Sequence, residues 1–296
     1  MIRDFFKKNN IEFLEEAPLI NHNTYHVNAK AKFLVYPSSI EEVITILSFL
    51  KENNIEYVFL GNGSNVILAN LYYDKVFIKL DKLNNIEINN NIVTAGAGVT
   101  LIKLALECAL ANLSGLEFAC AIPGLVGAST AMNAGAYNSS IKDIFVSAKV
   151  LTPNLEVKEF KLEDLEFEYR DSFLKKNKDY ICLETTFKLT HSDSEEILEL
   201  MSSRQERRID TQPLSYPSAG SVFRNPTNSY AGELIEKCDL KGTNINGAEV
   251  SEKHANFIIN KKGAKGEDII KLIELVKLQV KEKYDVDLIL EQEIIR

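Results

Sequence analysis

IPGLVGASTAMNAGAYNSS, residues 122–140, is a bare stretch of chain. It holds three glycines (Gly124, Gly127, Gly135) and, before Tyr137, five alanines or serines. Asn133 and Tyr137 are the only sizeable polar side chains between Ile122 and Asn138. Such bareness suits a backbone against which a flat cofactor lies. It equally suits a helix or strand crossing packed too closely for side chains. Composition alone leaves both readings open.

Upstream, the chain alternates in the α/β manner. IEEVITILSFLKENN (40–54) has helical apolar spacing, with Ser38 or Ser39 as its cap. EYVFL (56–60) reads as a buried strand that runs directly into GNGSN (61–65). Glycines there let backbone amides approach a phosphate, and Ser64 or Asn65 adds side-chain donors. GNGSN is neither a Walker loop nor a GxGxxG fingerprint, and on turn frequencies a plain tight turn is the commoner outcome. VFIKL (76–80) and IEINNNIVTAG (86–96) read as further strands, and Thr100 caps a helix over 101–113.

Downstream, strands are expected near 144–152, 156–160 and 180–190. Helices follow near 194–209, capped by Asp193 or Ser194, and at 231–238. A strand at 257–260, an amphipathic helix at 267–284 and a terminal strand at 286–295 close the chain.

Bulk properties narrow the function. The chain has 296 residues, 26% charged, with a net charge of −8 and no basic stripe. Phosphate neutralisation on nucleic acid needs clustered Lys and Arg, so a nucleic-acid binder is disfavoured. No apolar stretch reaches spanning length and the start lacks an apolar signal core, so a cytoplasmic protein without membrane contact is expected. Cys108, Cys120, Cys182 and Cys238 form no CxxC pair and read as buried reduced thiols. His22, His26, His191 and His254 show no metal-ligand spacing, and no metal is assigned.

Three polar positions carry candidate chemistry. Arg170, after the acidic LEDLEFE, is either a surface ion-pair partner or a clamp for a carboxylate or phosphate. Ser221, in SAGSVFRNP (218–226), is either a turn serine or a proton donor; it lacks the GxSxG elbow of a hydrolase. Glu291 and Glu293 share one face of the expected terminal strand, either as a solvated edge or with one of them beside a substrate.

Together the segments resemble the UDP-N-acetylenolpyruvoylglucosamine reductase (UDP-N-acetylmuramate dehydrogenase) family. The matching pieces are HNTYHV (22–27), LGNGSNVIL (60–68), AGAG (95–98), GLEFACAIPGLVGASTAMNAGAY (115–137), EYRDS (168–172), QPLSYPSAGSVFRNP (212–226), AGELIE (231–236), GAEVSEKHANFIIN (247–260) and LEQE (290–293). Each is modest alone; nine in family order are highly specific. The 50 residues between Arg170 and Ser221 resemble the short form of the family, which lacks an inserted substrate-covering segment.

The resemblance implies an α+β fold: an FAD-binding half of the vanillyl-alcohol-oxidase type in two subdomains, and a C-terminal α+β substrate-binding domain. The implied limits are 1–77, to which a terminal strand at about 293–296 returns, then 78–203 and 204–292. It implies NADPH-dependent, FAD-mediated reduction of UDP-N-acetylglucosamine enolpyruvate in peptidoglycan precursor synthesis, by a monomer. Arg170 matches the Arg of YRxS, Ser221 the Ser of GSxFxNP, and Glu293 the second Glu of LExE. Ser221 is then the proton donor, and Arg170 and Glu293 stabilise an enolate. Noncovalent FAD is expected at Gly61, Asn62, Gly63, Ser64 and Asn65, and at Pro123, Gly124, Gly127, Ala128, Ser129, Asn133, Gly135 and Ala136. Tyr137, Arg224, Asn225 and His254 fall where the family contacts the sugar nucleotide or NADPH. Four positions at three sites depart from the pattern: Asn28-Ala29 replaces two glycines, Asn246 replaces a glycine before Gly247-Ala248, and Ile295 replaces an arginine.

Two other readings compete. A flavin oxidase or dehydrogenase of the same superfamily needs a base near a substrate hydroxyl, and Ser221 with Glu293 does not supply that arrangement. A noncatalytic nucleotide-sugar or flavin module has no use for all three catalytic positions.

Overall fold

A computed structural model describes residues 1–296. The chain forms two compact units: Met1–Leu14, Phe33–Gly61 and Lys75–Arg207 make the first, and Glu15–Lys32, Asn62–Asp74 and Arg208–Arg296 the second.

The first unit is centred on a five-stranded antiparallel sheet. Its order is Val157–Lys161, Phe145–Leu151, Ile181–Lys188, Ile92–Gly96, Ile86–Asn89. Helix Leu101–Leu110 buries Leu101, Leu104, Ala105 and Cys108, the stripe that a 3.6-residue period places on one face. Its first turn is capped by Thr100, whose Oγ1 accepts from the Lys103 amide at 3.2 Å. Helix Val126–Met132 adds Val126 to the same core.

A four-stranded sheet orders Glu12–Pro18, Lys30–Tyr36, Tyr72–Ile78 and Tyr57–Phe59, the last pair parallel. In the first unit, helix Ile40–Glu52 packs Val43, Ile46, Leu47 and Leu50 against Phe33, Val35, Val76 and Ile78 of this sheet. Truncating Ile46 to alanine there would cost about 2–5 kcal/mol. Ser39 is the cap, accepting from the Glu42 amide, while the Glu42 carboxylate accepts from the Ser38 amide and hydroxyl at 2.8 Å each.

The second unit holds a three-stranded antiparallel sheet of Asn244–Ile245, Ala248–Val250 and Ile258–Asn260. Helix Gly266–Tyr284 buries Ile269, Leu272, Ile273, Val276 and Val280. Strand Val66–Leu68 pairs in parallel with Glu293–Ile295, Glu293 opposite Val66.

The terminal strand is shorter than the expected 286–295. Asp285, at φ 55°, closes the long helix in the left-handed region. Residues 289–291 then bond to the Ser221 segment: the Arg224 amide donates to Ile289 O at 2.9 Å, and the Glu291 amide to Val222 O at 2.8 Å. Glu291 therefore precedes the strand that carries Glu293. Cys108, Cys120 and Cys182 are buried thiols, and burial pushes Cys182 up to about 11; Cys238 is half-buried.

Candidate active site

In the first unit, the bare stretch becomes helix Val126–Met132, ended by Asn133 in the left-handed conformation at φ 46°. Three of its glycines answer to packing. A Cβ on Gly127 would lie 2.7 Å from Ala97 Cβ, on Gly135 2.4 Å from Ser139 O, and on Gly124 2.4 Å from Ser129 Oγ. Ser129 is itself buried. Pro123 and Ala128, in contrast, are exposed, and the Cβ position of Gly61 lies 3.2 Å from Ala128 Cβ. Two of the expected FAD-binding segments thus meet, presenting small groups to solvent. Behind Gly61, the buried Lys79 ammonium donates to its carbonyl at 2.8 Å and pairs with Asp81 at 3.3 Å. The Lys79–Asp81 pair fixes the Gly61 backbone from behind, and the bare outer face in front of it fits a flat cofactor.

Asn133 and Arg170 are tied together through their own segment. Asn133 Nδ2 donates to Glu168 O at 2.8 Å, and its Oδ1 accepts from the Lys142 amide at 3.0 Å. Glu168 and Asp171 pair their backbones across a tight turn, with Arg170 at φ 56°. The Arg170 guanidinium donates to Gly135 O and lies over the Tyr169 ring, 5.2 Å from its centroid. Ser172 Oγ donates to Ala131 O at 2.6 Å and caps the short helix Phe173–Lys176. Ala136 pairs with Ser139. Tyr137 Oη donates to Arg204 O at 3.1 Å, under the Arg204 guanidinium at 4.7 Å.

In the second unit, Asn62–Asn65 folds against the HNT segment. Gly63 has φ 67°, and a Cβ there would lie 2.2 Å from His22 O; only glycine fits. The Thr24 amide and hydroxyl donate to Gly63 O at 3.1 and 3.2 Å. Asn65 Nδ2 donates to Glu291 O at 3.2 Å, and the Glu293 amide donates to Asn65 O at 2.9 Å. Ser64 Oγ makes no hydrogen bond within the protein, which leaves a donor for a bound group.

Ser221 is half-buried, and its hydroxyl too makes no hydrogen bond within the protein. Its neighbours are firmly held. Gln292 Nε2 donates to Ala219 O at 2.9 Å and Gly220 O at 3.3 Å. Asn256 Oδ1 accepts from the Phe223 amide at 2.9 Å, and its Nδ2 donates to Phe223 O at 2.8 Å. Asn225 Oδ1 accepts from the Ala231 amide at 3.1 Å, at the start of helix Ala231–Lys237. His254 Nδ1 accepts from the Asn256 amide at 3.2 Å, and its ring lies 4.8 Å from that of Phe257. Burial lowers the His254 pKa, which favours a neutral ring.

Gln292, whose Oε1 accepts from the Tyr25 hydroxyl at 3.0 Å, belongs to these arrangements with Asn256 and Lys79, and none of the four is among the expected site residues. For Gln292 a signal existed: with Glu291 and Glu293 placed on one strand face, the residue between them takes the other, and Gln292 is buried.

Two family models match the chain. The C-terminal domain of UDP-N-acetylenolpyruvoylglucosamine reductase matches residues 212–295, and an FAD binding domain matches residues 31–161. The UDP-N-acetylenolpyruvoylglucosamine reductase of Caldicellulosiruptor bescii is 44% identical over 98% of this chain and 92% of its own length. That of Bacillus subtilis is 41% identical over 95% of this chain and 93% of its own. The crystal structure of the Thermus caldophilus UDP-N-acetylenolpyruvylglucosamine reductase superposes with a TM-score of 0.81 at 30% identity, covering 97% of this chain and 99% of that one. Glucooligosaccharide oxidase from Acremonium strictum, 14% identical with a TM-score of 0.51 over 95% of this chain and 58% of its own, shares the fold alone. No helix is long and apolar enough to cross a membrane. The chain belongs to the UDP-N-acetylenolpyruvoylglucosamine reductase family of FAD-dependent oxidoreductases.

Proposed function

We propose that this chain reduces UDP-N-acetylglucosamine enolpyruvate to UDP-N-acetylmuramate with NADPH as hydride donor, as a cytoplasmic monomer in peptidoglycan precursor synthesis. The observation that carries the residue roles is Ser221: a hydroxyl with no partner in the protein, on a segment whose flanking backbone is pinned by Gln292 and Asn256. A proton donor needs that combination of a free O–H and a fixed position.

The backbone of 61–65 and 123–136 would hold FAD noncovalently, and the bound flavin would supply hydride transfer from NADPH to the methylene carbon of the enolpyruvyl group. Negative charge then develops on the substrate as an enolate conjugated with its carboxylate. Arg170 supplies a fixed cation for that charge, and its anchorage to Gly135 O means little reorganisation accompanies the reaction. Glu293 holds the enol by hydrogen bonding, and its backbone is fixed by pairing with Asn65. Ser221 delivers the proton to the adjacent carbon. A serine is a very weak acid in water, but the enolate is strongly basic and the hydroxyl is held close.

Tyr137, Arg224, Asn225 and His254 contact the sugar nucleotide or NADPH in this reading. With Nδ1 accepting a backbone N–H, neutral His254 carries its proton on Nε2 and acts as a donor. The domain division that goes with it is 1–77 with about 293–296, 78–203, and 204–292. The test is substrate dependence: NADPH oxidation should require the enolpyruvyl sugar nucleotide. Sustained turnover with an alcohol or hydroxy acid instead would replace this reading with that of an oxidase or dehydrogenase.

A further inference from the structure

Outside the family-matched trio, the side chain of Gln292 is a fully engaged polar group of the second unit that reaches the Ser221 segment. It is 3% exposed and engaged at each end. Its Oε1 accepts from the hydroxyl of Tyr25, a fully buried tyrosine, at 3.0 Å. Its Nε2 donates to Ala219 O and Gly220 O, the two carbonyls immediately before Ser221. The opposite amide orientation would aim a carbonyl oxygen at two carbonyl oxygens, so the chemistry admits one orientation only. Tyr25 is anchored in turn, since Asn260 Nδ2 donates to Tyr25 O at 2.7 Å. On the far side of Ser221, Asn256 takes both backbone groups of Phe223 and its own carbonyl accepts from the Val222 amide at 2.9 Å. Two side-chain amides thus bracket a serine whose own hydroxyl is unengaged.

We infer that Gln292, oriented by Tyr25, is a positioning residue that sets the placement of the Ser221 hydroxyl for proton delivery to the substrate. The inference rests on the proton-donor role proposed for Ser221. A carboxylate or apolar group at position 292 cannot donate to the two carbonyls, and the turn that presents Ser221 then relaxes. A displacement of about 1 Å of a reacting group costs on the order of 100-fold.

The test separates the two half-reactions in the FAD-loaded protein, with stopped-flow absorbance reporting flavin reduction by NADPH and reoxidation by the enolpyruvyl sugar nucleotide. Three variants are compared: Gln292→Met, which keeps the volume and removes every hydrogen bond; Tyr25→Phe/Gln292→Met, which also removes the orphaned tyrosine hydroxyl; and Ser221→Ala as the reference. Removing both partners of a buried hydrogen bond costs less than stranding one. The double variant should therefore regain melting temperature over Gln292→Met, yet keep the slow reoxidation. We expect reoxidation in both to fall about 10–100-fold with reduction and flavin content within about twofold of wild type. Wild-type reoxidation in Gln292→Met alongside slow reoxidation in Ser221→Ala would overturn the inference alone. Wild-type reoxidation in Ser221→Ala would instead overturn the reading on which it rests. Reduction, flavin content and reoxidation falling together in both Gln292 variants would assign Gln292 to general folding and overturn the positioning role.

Discussion

The turn that carries Arg170 and the turn that carries Ser221 are fixed in opposite ways. Arg170 holds itself: its backbone takes the left-handed conformation inside a closed Glu168–Asp171 turn, and its own guanidinium donates to Gly135 O. Ser221 is held by others: Gln292 and Asn256 pin the residues on either side, and the serine hydroxyl is engaged by neither. A stabilising cation loses nothing by being tethered, because its charge acts without moving. A proton donor must keep its O–H available, so its restraint has to come from neighbouring residues. The contrast therefore follows from the two proposed jobs.

Loss of the Ser221 hydroxyl should have the greatest consequence. Ser221→Ala should slow flavin reoxidation by substrate by about 10²–10⁴-fold, the usual contribution of a general acid, with reduction by NADPH unchanged. Stopped-flow absorbance reads both steps; equal slowing of the two would place Ser221 outside proton delivery. On the other side, Arg170→Lys keeps the charge but loses the planar donor fork that reaches Gly135. Turnover should fall by about 10²-fold, comparable with removing one preorganised oxyanion donor. Wild-type turnover in Arg170→Lys would mean that tethering of the cation is irrelevant.

A smaller effect concerns how the loops are built. Gly63→Ala forces a Cβ against His22 O in a left-handed backbone and should cost about 1–3 kcal/mol or more of stability, read as a shift in the urea midpoint. FAD affinity, measured by flavin fluorescence, should weaken with it. An unshifted midpoint would remove the close approach of Gly63 to His22 from the account.

The smallest effect is a pH slope. Burial holds the folded His254 below its ordinary 6.5. As pH falls below 6.5 the unfolded chain takes up a proton that the folded chain refuses. The stability contributed by neutral His254 is thus complete above 6.5 and lost as pH falls through the folded value. Urea midpoints from pH 7.5 downward should fall more steeply for wild type than for His254→Phe; parallel curves would contradict the assignment.

Much of this was legible in the sequence, for local reasons. Ser39, Thr100 and Asp193 all act as helix caps, because a short side-chain oxygen before an apolar periodic run has few other uses; the Asp193 carboxylate accepts from the Glu195 amide at 2.8 Å. The long helices at 40–52 and 266–284 were set by their apolar stripes. The terminal strand is shorter than VDLILEQEII suggests: the segment has strand composition, but its first part bonds irregularly to residues 222–224, a partner remote in sequence. The three packing glycines of 122–140 were ambiguous for the same reason: what a missing Cβ makes room for depends on Ala97, Ser139 and Ser129, not on neighbours in the pattern. The amide bracket was invisible, since a buried Gln and a buried Asn carry no motif of their own beyond the alternation that hides Gln292 between two glutamates.

The most direct test of the central claim is one anaerobic absorption experiment on the purified, FAD-loaded protein, recorded before and after NADPH and again after the enolpyruvyl sugar nucleotide. The expected result is a yellow flavin spectrum that bleaches with NADPH and returns with the sugar nucleotide. A colourless protein that takes up no added FAD, or a bleached flavin that this substrate does not reoxidise, would contradict it.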